Sequence, residues 1–353
     1  MPNDLCIAMT GAGAPQATAL IRHLKENGEK SVRIVALDMD KEAVGRFFAD
    51  SFHTIPPAGK EGYKEGLFSV LQKEKPDALL NVSGADVRFI APMAPEIETL
   101  GIKCICSNAE AVRIADNKYE LYQLAETLAD VETPEYRSPN SLEEFVNAAH
   151  EMGYPERDLC FKPHIGKGSR GFRVLTERFD RRDLLLNHKP TARYMSLAEF
   201  ESIFSESNDF PDLLLMEMAE GEEIDAMTIA YKGEALLTTC KTRESHRWGV
   251  IDRGEHVHRP VVEKAVEAIV RAIPLGFNNS LQFIDNKVIE INPRTSTFIY
   301  QDDLNEPWLA VKLGLGLITP DELRAYRKNI KMGRRMVRYM DQVFFEPGGT
   351  WSQ

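Results

Sequence analysis

Residues 280–296, SLQFIDNKVIEINPRTS, decide the fold of this chain. Apolar side chains alternate there with Gln282, Glu290 and Asn292, and the segment DNK at 285–287 separates two short β-rich runs. This pattern predicts a β-hairpin with its turn at 285–287. Side chains two residues apart share one face of a strand, so Glu290 and Asn292 point the same way. Gln282 on the partner strand reaches that face if the register of the hairpin brings it opposite.

The oxygen-bearing side chains of this hairpin are of the kind that Mg²⁺ prefers. Magnesium takes one or two carboxylates, keeps several waters and completes its shell with substrate phosphates. Arg294 follows Asn292 by two residues and would lie beside a transferring phosphoryl group. A surface hairpin with ordinary solvated polar positions shows the same pattern, so the residues alone leave both interpretations open.

The segment Glu290-Ile-Asn292-Pro-Arg294 resembles the metal-binding strand of the ATP-grasp superfamily. The nearest resemblance is to the carbamoyl phosphate synthetase large subunit and its single-copy relatives. It implies that Gln282, Glu290 and Asn292 hold two magnesium ions on ATP, with Mn²⁺ able to substitute. It also implies an α/β fold, in which an N-terminal Rossmann-like parallel-sheet domain precedes a two-lobed α+β ATP-grasp domain.

Composition limits the kinds of partner that the chain can have. Its net charge of −11 argues against a nucleic-acid partner, because phosphate backbones bind basic surfaces. The sequence has no run of 18 apolar residues and no basic segment followed by an apolar one at its start, so we expect no membrane span and no signal peptide. Five scattered cysteines without a C-x-x-C pair favour buried thiols in a reducing cytoplasm.

The first 115 residues are predicted to form the parallel-sheet domain. Short apolar runs that read as strands alternate with helical segments, which indicates a parallel sheet covered on both faces. The predicted strands are 5–9, 32–37, 49–55, 78–82 and 102–106, and the predicted helices are 16–27, 62–73 and one with Pro92 and Pro95 near its start.

A glycine loop, TGAGAP at 10–15, follows the first predicted strand. A dinucleotide-binding fingerprint needs a third glycine, but Gln16 stands at that position and Pro15 lies inside the loop. The NAD-binding alternative is therefore weakly supported, although a helix N-terminus can still receive an anion. The resemblance implies that this domain contributes substrate contacts, with residues 11–14 and Asp86 as candidates; turn glycines and a helix cap explain them equally well.

A second glycine loop, GKGSRG at 166–171, lies between two predicted strands, 159–163 and 172–175. A strand, a glycine loop and a strand form a flap, unlike the strand–loop–helix of P-loop proteins. The flap resembles the ATP-grasp lid, which implies nucleotide contacts from Gly168, Ser169 and Gly171. Lys167 and Arg170 offer positive charge.

The resemblance also assigns the remaining nucleotide contacts. Lys118, in the segment DNK at 116–118, would reach the ATP phosphates, and Lys162 would bridge the adenine and the α-phosphate. The hinge between the lobes is the acidic stretch around Gly221, where the main chain would pair with the adenine edge and an acid would bind the ribose. Residues Glu217, Met218 and Ala219 are placed at the adenine and Glu223 at the ribose, with Glu222 as its competitor.

Catalytic residues are predicted around the metal strand. Arg294, Lys241 and Arg243 are the candidates, since residues 242–249 combine three cationic side chains, with His246 counted among them, and the Trp248 ring in one plausible anion site. His246 can equally be an ordinary loop histidine, and we do not assign it as a base.

The predicted domain boundaries follow these motifs. The parallel-sheet domain covers 1–115 and the ATP-grasp domain 116–326, with a small lid lobe at about 127–216 and a large lobe at about 217–326. Residues 327–353 form a basic C-terminal segment of uncertain role. Further helices are predicted at 118–128, 141–152, 197–204, 261–273, 306–313 and 320–326, and a strand at 335–339.

The predicted activity is that of an ATP-dependent, ADP-forming ligase. It would activate a small-molecule carboxylate as an acyl phosphate for attack by an amine. Two alternatives stay open: phosphorylation of bicarbonate or carbamate as in carbamoyl phosphate synthesis, and a nucleotide-binding protein without turnover. The sequence identifies neither substrate and leaves a homodimer open.

Overall fold

The computed structural model describes residues 5–166, 168, 170–207, 209–247, 250–295, 300–301 and 303–346. The first sheet is fully parallel and has the strand order β3-β2-β1-β4-β5, a doubly wound order. Its elements are β1 (Leu5–Thr10), α1 (Ala17–Lys25), β2 (Val32–Asp38), β3 (Ser51–Thr54), α2 (Tyr63–Glu74), β4 (Ala78–Asn81), α3 (Gly84–Glu98) and β5 (Lys103–Ile105).

Both faces of this sheet are buried. Ile7 and Met9 of β1 lie in one apolar cluster, and Ala8 between them lies in another on the opposite face. Strands buried on both sides need continuous apolar runs, which is why the sequence shows runs and not alternation here. The parallel sheet was predicted correctly.

One helix begins earlier than predicted. The prolines at 92 and 95 were placed near a helix start, but α3 begins at Gly84, so both prolines lie inside it. Ser83 fixes the start, because its hydroxyl accepts a hydrogen bond from the Ala85 amide at 3.1 Å.

A second sheet has the strand order β6-β10-β7-β8-β9. Strands β7 and β8 pair antiparallel on either side of the predicted flap loop. Two helices were not predicted: α4, and α7, which Asp180 caps. The elements are α4 (Ala109–Asp116), α5 (Lys118–Ala125), β6 (Tyr136–Arg137), α6 (Leu142–Glu151), β7 (Leu159–Pro163), β8 (Arg173–Leu175), α7 (Arg181–Asn187), β9 (Tyr194–Met195), α8 (Leu197–Phe204) and β10 (Leu213–Glu217).

A third, antiparallel sheet carries the predicted metal hairpin as its last two strands, in the order β13-β14-β12-β11-β15-β16. The predicted turn is present, and Asp285 has φ +55° there. Helix α9 packs on the apolar face. The elements are β11 (Glu223–Tyr231), β12 (Glu234–Thr242), β13 (Ser245–Arg247), β14 (Val250–Val257), α9 (Pro260–Ala272), β15 (Phe277–Ile284) and β16 (Lys287–Asn292).

The C-terminal segment joins the third sheet to the first domain. Its strand pairs with β14, and Arg338 beyond it donates to the Pro15 carbonyl at 3.4 Å. The Phe345 ring lies 4.7 Å from that of Phe47. The elements are β17 (Tyr300–Gln301), β18 (Leu304–Asn305), α10 (Glu306–Gly314), α11 (Pro320–Ala325) and β19 (Arg335–Val337).

In the described part of the chain, none of the helices has both the length and the apolar character needed to span a bilayer. All five cysteines are free thiols; Cys104, Cys160 and Cys240 are buried, and Cys6 and Cys106 are half-buried.

Candidate functional site

The register of the β15–β16 hairpin brings the predicted metal-binding side chains together. Gln282 lies opposite Glu290, and Ser280 lies opposite Asn292. Residues directly opposite in an antiparallel pair share a face. Gln282, Glu290 and Asn292 therefore lie on one face, and the Asn292 amide donates to the Glu290 carboxylate at 3.1 Å.

These side chains continue a polar row that crosses the third sheet. The row consists of His256, Lys241, Asp225, Gln282 and Glu290, each in register with the next on five neighbouring strands. The first three are almost completely buried. Burial lowers the pKa of His256 to about 3, with Lys241 and Arg334 acting in the same direction, so this histidine is neutral.

Lys241, a predicted catalytic residue, is held inside the protein by Glu306 of α10. Its ammonium lies 3.0 Å from the Glu306 carboxylate, and both side chains are at most 1% exposed. Burial raises the pKa of Glu306, although Lys241 and Thr239 oppose that effect. Glu306 thus neutralises the buried charge that Lys241 contributes to the polar row. Sequence reasoning missed Glu306 because it is 65 residues away along the chain.

The two lysines predicted to bind the nucleotide converge on Glu290. Lys118 lies at the start of α5, and its ammonium is 3.9 Å from the Glu290 carboxylate and 3.0 Å from the Gly166 carbonyl of the flap. Burial alone would raise the pKa of Glu290, but Lys118 and Lys162 outweigh it and hold that pKa below its usual value. Glu290 is thus a carboxylate at neutral pH.

Lys162 of β7 is buried and contacts the metal strand directly. Its ammonium donates to the Ile289 carbonyl at 3.1 Å and lies 3.5 Å from the Tyr122 hydroxyl. Burial lowers the pKa of Lys162 to about 8; Glu290 opposes this effect and Lys118 adds to it. Lys162 is therefore mostly charged at pH 7 and loses its charge as the pH rises through about 8.

The flap is described except at Lys167 and Ser169, so these two predictions lie outside the described residues. Gly168 and Gly171 both have positive φ, at +64° and +78°. A side chain at Gly171 would come within 2.6 Å of the Pro163 ring, so the loop returns to β8 only with glycine there.

At the hinge, the predicted adenine segment joins the two lobes. The Glu217 carboxylate is paired with Arg157 in the small lobe and with Lys287 on the metal hairpin. Burial would raise the pKa of Glu217, but these partners hold it below its usual value. Met218 and Ala219 follow at the end of β10, and neither has a backbone hydrogen bond to the rest of the described chain. Their peptide groups can therefore pair with an adenine edge.

The two candidate ribose acids are both ion-paired. Glu222 pairs with Arg259, and Glu223 lies 3.1 Å from Arg243, a predicted catalytic residue. Gly221 before them has φ +129°, and a side chain there would come within 2.8 Å of Asp285 in the hairpin turn. The hinge therefore packs directly against the metal hairpin.

Arg294, the remaining predicted catalytic residue, is anchored beside the metal strand. Its guanidinium donates to the Thr295 carbonyl at 2.8 Å and lies 3.5 Å from the Asn292 side-chain oxygen. Burial lowers its pKa, and Asp225 and Glu290 oppose that effect. Trp248, in the predicted anion loop, lies outside the described residues.

The donor set at the hairpin fits a magnesium ion that arrives with phosphate. It offers one carboxylate and two side-chain amides, and the described residues contain no cluster of three or more His, Cys, Asp or Glu side chains suited to a metal. Such a set leaves most of the octahedral shell to water and phosphate oxygens, which is how Mg²⁺ is bound at nucleotide sites.

Comparisons with known proteins agree with this architecture. Residues 7–105 match the family "PylC-like, N-terminal domain". The chain is 26% identical to the carbamoyl phosphate synthase large chain of Methanothermobacter thermautotrophicus over 78% of its own length and 25% of that protein. It is 25% identical to the formate-dependent phosphoribosylglycinamide formyltransferase of Sulfolobus acidocaldarius over 72% of its length and 64% of that protein. The chain thus spans a quarter to two thirds of these relatives.

A solved structure shows the same fold. The biotin carboxylase domain dimer of the Hydrogenobacter thermophilus 2-oxoglutarate carboxylase, in complex with MgADP, ADP and bicarbonate, superposes with a TM-score of 0.66 at 18% identity. The match covers 93% of this chain and 73% of that one. The predicted fold, a parallel-sheet domain followed by a two-lobed ATP-grasp domain, is confirmed.

Proposed function

We propose that this chain, which belongs to the ATP-grasp superfamily, is an ATP-dependent, ADP-forming ligase that activates a carboxylate as an acyl phosphate for attack by an amine. One observation supports this most strongly. Gln282 and Glu290 lie in register on the metal hairpin. The Lys118 ammonium lies 3.9 Å from the Glu290 carboxylate, and the Lys162 ammonium donates to the neighbouring Ile289 carbonyl at 3.1 Å.

In this proposal the nucleotide lies between the flap and the third sheet. The peptide groups of Met218 and Ala219 hold the adenine edge, and Glu223 or Glu222 binds the ribose after releasing its arginine partner. Lys118 and Lys162 contact the phosphates. Gln282, Glu290 and Asn292 hold Mg²⁺, which supplies charge neutralisation and orientation of the phosphates.

The chain's own residues then act mainly by position and charge. The attacking carboxylate oxygen takes the γ-phosphoryl group from ATP, ADP leaves, and an amine nitrogen then displaces phosphate from the acyl phosphate. Arg294 stabilises the negative charge that develops in the transfer. The closed flap excludes water that would hydrolyse the acyl phosphate. No nucleophilic side chain is required.

Bicarbonate or carbamate phosphorylation is a second candidate. The similarity to a carbamoyl phosphate synthase large chain over 78% of this chain supports it. The stretch shared with that relative is only 25% of the relative's length, so the activity of the whole relative is not carried over to this chain.

The test is a phosphate-release screen over pairs of amino acids and related amines, with and without bicarbonate. ADP formation that requires both a carboxylate and an amine supports the ligase. Phosphate release that requires bicarbonate supports the second candidate. ADP binding without turnover on any pair, in a protein with folding intact, contradicts both and favours a nucleotide-binding protein.

A further inference from the structure

The metal strand contains a β-bulge next to its carboxylate. Gln282 pairs with Glu290 and Phe283 pairs with Val288, so Ile289 is one residue more than the partner strand can match. A bulged residue leaves the regular ladder and turns its peptide groups in a new direction. The Ile289 carbonyl accepts hydrogen bonds from the Tyr122 hydroxyl at 3.0 Å and from the Lys162 ammonium at 3.1 Å.

Tyr122 is the one partner in this group that has no role in the proposed chemistry. It lies on α5, is fully buried, and carries its hydroxyl 3.5 Å from the Lys162 ammonium. The ammonium also lies 5.7 Å from the centre of the Tyr122 ring, within the range of cation–π attraction. Tyr122, Lys162 and the Ile289 carbonyl therefore form a closed three-way contact.

The geometry restricts where the lysine can point. An ammonium group has three N–H donors. The Ile289 carbonyl and the Tyr122 oxygen accept two of them among the described residues, which fixes the direction of the third. A flexible lysine would otherwise sample many rotamers, and fixing one rotamer beforehand reduces the entropy lost when a ligand binds.

We propose that Tyr122 is a positioning residue for Lys162, acting together with the carbonyl of the bulged residue Ile289 to aim the ammonium at a nucleotide phosphate. The inference rests on the proposed nucleotide site. It adds that Tyr122 contacts both Lys162 and the metal strand. Tyr122 thereby fixes the position of the phosphate-binding ammonium relative to the metal ligands.

A double-mutant cycle on ADP binding tests this proposal. Tyr122→Phe removes the hydroxyl and keeps the ring, and it is compared in the wild-type and Lys162→Met backgrounds by isothermal titration with ADP and Mg²⁺. We expect Tyr122→Phe to weaken ADP binding about three- to tenfold in the wild-type background and by less than about twofold when Lys162 is absent. Should Lys162→Met not fold, Lys162→Arg replaces it, because a guanidinium cannot reproduce the ammonium geometry.

Tyr119→Phe is the matched control, since Tyr119 lies on the same helix and stacks on His164, with ring centres 5.0 Å apart, instead of contacting Lys162. The positioning role is overturned if Tyr122→Phe weakens ADP binding equally in both Lys162 backgrounds or does not weaken it at all. It is also overturned if Tyr119→Phe weakens ADP binding as much as Tyr122→Phe does. Wild-type protein that binds no ADP contradicts the nucleotide site itself, which separates failure of the proposed function from failure of this inference.

Discussion

Glu290→Gln separates the proposed metal contact from the proposed nucleotide contact, because Glu290 is the proposed magnesium ligand and lies 3.9 Å from Lys118, a proposed phosphate ligand. The substitution keeps the shape of the side chain and an oxygen that can accept from Asn292, which now donates at 3.1 Å. It removes the carboxylate that we propose as a magnesium ligand. Loss of one charge-stabilising contact at a reacting centre costs on the order of 10²–10³ in turnover, so we expect a fall in kcat of at least that size.

In contrast to turnover, the affinity for ADP in the absence of metal should increase in Glu290→Gln. The Lys118 ammonium lies 3.9 Å from the Glu290 carboxylate, and two unit charges about 4 Å apart near a protein surface attract by about 4 kcal/mol. Because the Glu290 side chain is 29% exposed, screening reduces this to roughly 1 kcal/mol. In Glu290→Gln the ADP phosphates no longer compete with the Glu290 carboxylate for the Lys118 ammonium. In EDTA, the variant should therefore bind ADP up to about fivefold more tightly than the wild-type protein does.

The measurement is isothermal titration of ADP in Mg²⁺ and in EDTA, together with phosphate release once a substrate pair is known. Glu267→Gln is the control, because Glu267 is exposed on α9, away from the site. Turnover within tenfold of wild type, or loss of metal-free ADP binding in a folded variant, would refute the assignment of Glu290.

Three further outcomes are expected. Arg294→Ala should lower kcat at least 10²-fold with the melting temperature of wild type; a smaller fall measured by phosphate release would remove its catalytic role. Because the pKa of Lys162 is lowered to about 8, kcat/KM for ATP should decline as pH rises through that value and the ammonium loses its proton; a flat profile to pH 9.5 would contradict this. Gly221→Ala should cost about 1–3 kcal/mol in urea unfolding, since its side chain would meet Asp285 at 2.8 Å. Gly316→Ala, with positive φ but open space around it, should cost less, and an equal cost would argue against the hinge contact.

Local signals in the sequence were sufficient for the hairpin and the parallel sheet. The segment at 285–287 has strong turn residues, and period-two alternation around it fixes which side chains share a face. Apolar runs alternating with helices likewise specify a parallel sheet, because strands buried on both faces cannot alternate. These features depend on neighbours a few residues apart.

The contacts around the site depend on distant residues, and the sequence did not reveal them. The bulge at Ile289 has no glycine or proline to mark it, and the hydroxyl that donates to its carbonyl belongs to Tyr122, 167 residues away. Lys241 was predicted as catalytic from its place before a cationic loop, whereas its burial depends on Glu306 in a later helix. The site roles themselves remain predictions.

The pairing of Glu217 with both Arg157 and Lys287 also connects the second sheet to the third through one carboxylate. Arg157 lies just before β7 of the second sheet, and Lys287 is the first residue of β16 in the third sheet. Arg157 and Lys287 are partly exposed, but Glu217 is only 11% exposed, and salt screens such partly buried contact pairs much less than it screens distant surface charges. Sodium chloride should therefore leave this connection largely intact, and small-angle scattering in a salt series should show an unchanged radius of gyration.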